Sequence, residues 1–99
     1  MKSFKVPSHI KIKNKVSYEI VWVESFEDDT TVGECRFDAR QIAIKTGLSK
    51  RETIKTFIHE VLHAIEFERG IKIQHKAIYQ LEDAVFYLLF HNDWSKHGN

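Results

Sequence analysis

Between Ser49 and Gly70 the chain carries the start and the stop of one helix in its own residues. Ser49 with Glu52 three positions on forms a capping box, in which each side chain satisfies a backbone N–H left free at a helix start. Gly70 supplies the left-handed residue that ends a helix with least strain. Between these marks Ile54, Phe57, Ile58, Val61, Leu62 and Ile65 recur at helical spacing and make one broad apolar face. A helix over 50–69 follows, and the remaining residues must cover that face.

Away from the centre of the apolar face the same helix carries His59-Glu60-Val61-Leu62-His63. Histidines four apart project from one side of a helix, a turn above one another, so both imidazoles can reach a single zinc ion. Glu60 then flanks the metal. A carboxylate there can take a proton from a water that zinc has acidified, the arrangement of a metal-dependent hydrolase. Five letters also arise by chance, and an ordinary solvated face has the same composition. The mid-helix placement favours the metal site.

The 99 residues, 42% of them hydrophobic, suffice for one domain over 1–99 with a buried core. A formal charge of +1 announces no nucleic-acid or membrane partner, and the cluster Lys45, Lys50, Arg51 and Lys55 reads as a wet helix start. Cys35 is the only cysteine, which excludes an internal disulfide and suits a reducing compartment. No apolar run has the length of a membrane span, and the N-terminus lacks a signal-type apolar region, so a cytoplasmic protein is expected.

Residues 1–8 read as a lead-in, and 9–45 as a sheet of about four strands. Ile10 and Ile12 alternate with lysines, and Val16, Tyr18, Ile20 and Trp22 continue that alternation past a turn at 13–15, which is a hairpin pattern. Trp22 is assigned to the core and Trp94 to packing near the C-terminus. Glu27, Asp28 and Asp29 lie in a polar loop without the ligand spacing or central glycine of a calcium site. A second pair, over 32–37 and 41–45, turns at Asp38-Ala39-Arg40, with Ile42 and Ile44 facing the core.

A second helix is expected over 75–92, with Ile78, Leu81, Val85, Leu88 and Leu89 as its buried stripe. Glu82 falls on that buried side, where a carboxylate needs a partner. A metal would provide one. Zinc hydrolase sites hold three protein ligands and leave the fourth position for water. Glu82 is therefore the first choice to join His59 and His63, and His75 is the alternative third ligand. A buried ion pair is the plainer role for Glu82, a helix-entry or orienting residue for His75, and a salt bridge for Glu66. Tyr79 or Tyr87 could stabilise an oxyanion, although packing is the commoner use of such aromatics. His9, His91 and His97 have no spacing that argues for a role.

The run 57–71, with His75, Leu81-Glu82 and Asn92 after it and Gly33-Glu34, Phe37-Asp38 and Ile42-Ala43-Ile44 before it, resembles a group of very small zincin-like metallopeptidases of phages, prophages and bacterial genomes. The likeness covers about residues 32–94. It implies a minimal zincin-like α+β fold, a small antiparallel sheet followed by two helices, whose edge strand holds an extended substrate. It also implies zinc at His59 and His63, Glu60 as general base, and the gluzincin pattern of a third-ligand glutamate carried onto Glu82. Phe86 stands where larger gluzincins place an acidic residue that orients a histidine.

The expected function is hydrolysis of a peptide or protein substrate by a zinc-dependent metallopeptidase, acting as a monomer in the cytoplasm, that of the host for a phage-encoded chain. The alternative is a non-catalytic phage-type zinc-binding module that grips a host or phage protein.

Overall fold

The computed structural model describes residues 4–93, so Trp94 and His97 lie outside the described residues. The elements are β1 (His9–Lys13), β2 (Val16–Val23), β3 (Gly33–Arg36), β4 (Gln41–Lys45), α1 (Lys50–Arg69) and α2 (His75–Phe90). The fold is α+β, a four-stranded sheet followed by two helices. The capping box at Ser49 and the left-handed Gly70 bound α1 where the sequence puts them.

In the sheet the strand order is β1-β2-β4-β3. Both hairpins are antiparallel, β1 with β2 and β3 with β4, and their turns place Lys15 and Arg40 in the left-handed region at φ 64° and 52°. The central pair differs from the antiparallel expectation: β2 and β4 run parallel, from Glu19 beside Gln41 to Val23 beside Lys45. A parallel pair needs a long return connection, and residues 24–40, β3 among them, supply it. That return delivers β3 to an edge of the sheet and slots β4 into the middle. Ile42, Ala43 and Ile44 are accordingly fully buried.

α1 packs against β1, β3 and β4. Ile54, Phe57, Ile58 and Ala64 meet Tyr18, Ile20, Ile42 and Ile44 in one core, with Phe86 of α2 closing its side and Phe4 and Val6 of the lead-in packed against it. A salt-bridged clasp ties the end of α1 to the sheet. Tyr18 donates its hydroxyl to Glu68 at 2.7 Å, Arg40 donates from Nε and a terminal nitrogen at 3.3 and 3.4 Å, and Lys13 bonds the Glu68 carbonyl at 2.6 Å.

Two packing expectations are corrected. Trp22 is 49% exposed rather than in the core. β1 pairs with β2 only as far as Glu19, so the last residues of β2 lack a strand on that side. On α2, Leu81 and Leu88 face solvent, and Ile78 and Phe86 are the buried residues. The helix is turned toward its Glu82–Phe86 flank, where Arg51 lies over the Phe86 ring at 4.8 Å and Glu82 bonds His59. No helix among the described residues is long and apolar enough to cross a membrane.

Candidate metal centre

α1 brings His59 and His63 together as their spacing requires. The two Nε2 atoms face each other at 3.2 Å. Bonds of about 2.0–2.1 Å to a tetrahedral zinc would set two nitrogens roughly 3.3–3.4 Å apart, so the pair is spaced for one ion. His75 is the first residue of α2. Its ring centroid lies 5.8 Å from that of His63 and 6.3 Å from that of His59, and one nitrogen from each of the three histidines falls within 4.8 Å of the others.

The other face of each α1 histidine is occupied by a carboxylate. Nδ1 of His59 lies 2.9 Å from Glu82 Oε1, and Nδ1 of His63 lies 2.9 Å from Glu66 Oε1. An ionised carboxylate only accepts, so the imidazole protons belong on Nδ1 and the Nε2 lone pairs point inward. Two lone pairs aimed at each other across 3.2 Å repel unless a cation or a proton stands between them. The three histidines could therefore hold a metal ion, and neutral imidazole nitrogens are donors that suit zinc.

Glu82 is partly buried on α2, on the inner flank that the helical periodicity indicates, and it stands behind His59 rather than among the inward donors. The short turn after α1 sends α2 back along it, which puts His75 beside His63 and leaves Glu82 to meet the histidine one turn earlier. Glu66, read from sequence as a salt bridge, orients His63 and also accepts the Ile73 N–H at 2.7 Å. That N–H, then His63, holds its carboxyl below the usual range. The available signal was its position three residues after His63 on the same helix face. Tyr79 stands over the site, its ring 5.4 Å from that of His59 and 5.8 Å from that of His75. Tyr87 stacks on His91 instead. His9 bonds Ser8 and takes no part.

Glu60 is 9% exposed. Burial pushes its carboxyl up to about 7, opposed by His63 and reinforced by Glu34 and Glu82. It lies against Gly33 of the edge strand, where a Cβ would come within 3.1 Å of Glu60 Oε2. A groove of about 460 Å³ opens here, lined by Val32, Gly33, Thr56, His59, Glu60 and Tyr79 among others. Cys35, two residues along β3 from Gly33, has its thiol pushed up to about 12 by burial, with Glu60 and Glu68 adding to it, which keeps it protonated and unreactive.

No family model, curated protein or solved structure matches the chain.

Proposed function

We propose that this chain is a zinc-dependent peptidase of minimal zincin type, with His59, His63 and His75 holding the metal. The observation that carries the reading is the facing pair of Nε2 atoms, each imidazole backed by its own carboxylate. Zinc bound there would polarise the scissile carbonyl and acidify a water. Glu60 lines the groove beside the edge strand and, unlike Glu82 and Glu66, has no histidine hydrogen bond, so it would be the group to take a proton from that water and pass it to the leaving amine. Glu82 and Glu66 hold the two imidazoles in the tautomer that ligation requires. β3 pairs only with β4 among the described residues, so its outer edge can hydrogen-bond an extended peptide beside Glu60. A reducing cytoplasm is the compartment that suits the free thiol of Cys35.

The test combines elemental analysis of protein purified without added metal with mass-spectrometric detection of cleavage in a mixture of unfolded proteins. Wild type and Glu60→Gln are expected to carry about one zinc per chain, His63→Ala to lose it, and only wild type to cleave. Full cleavage by Glu60→Gln would remove the general base from the mechanism. A wild type that takes up no zinc would remove the metal centre. Zinc without cleavage, with a stoichiometric protein recovered by wild type and Glu60→Gln alike, would replace the enzyme by the binding module.

A further inference from the structure

The connection between the helices is held in an unusual way for a segment that must deliver a ligand. α2 starts without help from its own cap, since Gln74 makes no side-chain hydrogen bond to the helix. Among the described residues no side chain other than Glu66 is hydrogen-bonded to the backbone of 70–74. Glu66 bonds it three times: its carbonyl accepts the N–H of Gly70 and that of Ile71, the latter at 3.1 Å, and its Oε2 accepts the N–H of Ile73 at 2.7 Å. Its remaining carboxylate oxygen is on His63 Nδ1 at 2.9 Å.

Resting on the metal reading above, we propose that Glu66 is a positioning residue that couples the His59–His63 pair to the third histidine. One oxygen fixes the ring of His63, and the other fixes the chain two residues before His75. Among the described residues the exposed His75 ring meets His59, His63 and Tyr79 but makes no side-chain hydrogen bond to set its place. Its approach to the other two nitrogens is set through the backbone that Glu66 holds. Glu82 is the natural contrast, because it backs His59 from within a formed helix and bonds nothing in the connection.

This difference gives a test that does not depend on turnover. Zinc dissociation constants, measured by competition with a chelating dye, are compared for wild type, Glu66→Ala, His75→Ala and the double variant, with Glu82→Ala taken through the same cycle. Loss of a carboxylate behind a ligating histidine costs about 10- to 100-fold in metal affinity. For Glu66→Ala the loss is expected to be smaller once His75 is absent, because the share exerted through His75 disappears while the share exerted on His63 remains. For Glu82→Ala the factor is expected to be the same in both backgrounds. Hydrogen exchange of the zinc-free protein should quicken at the Ile73 amide in Glu66→Ala and not in Glu82→Ala.

Glu66→Gln, which keeps the shape and one carbonyl acceptor, guards against simple loss of the fold and is expected to lie between wild type and Glu66→Ala in affinity. Equal losses for Glu66→Ala with and without His75 would overturn the coupling while leaving the metal centre intact. Failure of wild type to bind zinc overturns the metal centre, and the coupling with it.

Discussion

Gly33 has no side chain because Thr56 and Glu60 fill the place where one would stand. A Cβ there would overlap Thr56 Cγ2, and Thr56 is itself buried on α1. Gly33→Ala is expected to destabilise the fold by about 1–3 kcal/mol, the usual range for an overfilled core. Thr56→Ser in the same chain removes the atom in the way and should restore most of the loss, as read by urea unfolding. Glu82→Ala should lower zinc affinity about 10- to 100-fold and still leave a zinc site, whereas His63→Ala removes a ligand outright. A chain stripped of zinc by Glu82→Ala alone would return that carboxylate to the ligand set. His59, Glu60 and His63 were legible in the sequence because their relation is internal to one helix. Which of Glu82 and His75 stands nearer the facing nitrogens was not, because it depends on how far α2 slides and turns against α1. That displacement follows from the length of the 70–74 turn and from Phe86, neither of which has a period to read.

At the scale of elements, α1 is held at its two ends by different means. Its start is capped locally, by Ser49 and Glu52. Its end is tied to β1, β2 and the β3–β4 turn through Glu68, whose carboxyl is held below its ordinary value near 4.5, chiefly by the hydrogen bond from Tyr18 and then by Arg40 and Lys13. A carboxylate with a depressed pKa stabilises the folded chain fully above its unfolded value, and the contribution is lost as pH falls through the folded one. Thermal unfolding of wild type and Glu68→Gln should therefore differ at pH about 6 and converge as pH drops below about 4.5. A difference that stayed constant down to low pH would mean that Glu68 contributes by packing and not by charge. The limits of α1 and the four strands could be read from caps, turns and alternation, whereas α2, expected to 92, ends at Phe90. The facing of α2 could not, because Leu81, Leu88 and Phe86 are equally apolar in sequence and only tertiary partners rank them. Arg51 and Lys55 over the Phe86 ring, and His59 on Glu82, select the flank that is covered.

Across the whole molecule the proposed metal centre would join α1 and α2, which also share the apolar core through Phe86. A ligand that binds only the folded chain stabilises it by mass action, by about 2.7 kcal/mol at a free concentration a hundred times its dissociation constant. For a domain of this size that corresponds to an increase in Tm of roughly 10–20 °C. Calorimetry with and without zinc should show it for wild type and not for His63→Ala. The parallel seam between β2 and β4 has a different kind of consequence. Each hairpin closes over a short turn, but the seam must bring Glu19 to Gln41 and Val23 to Lys45 across a long stretch of chain, a slow step in any folding reaction. Ile42→Val, within that seam and opposite Ile20, should slow refolding more than it speeds unfolding. Both histidines can already be displayed on a formed α1 while the two hairpins are still separate. Until β3 and β4 dock on α1, β3 is not beside Glu60, and on the reading proposed above a chain caught at that stage would display its histidines before it had a groove for a peptide.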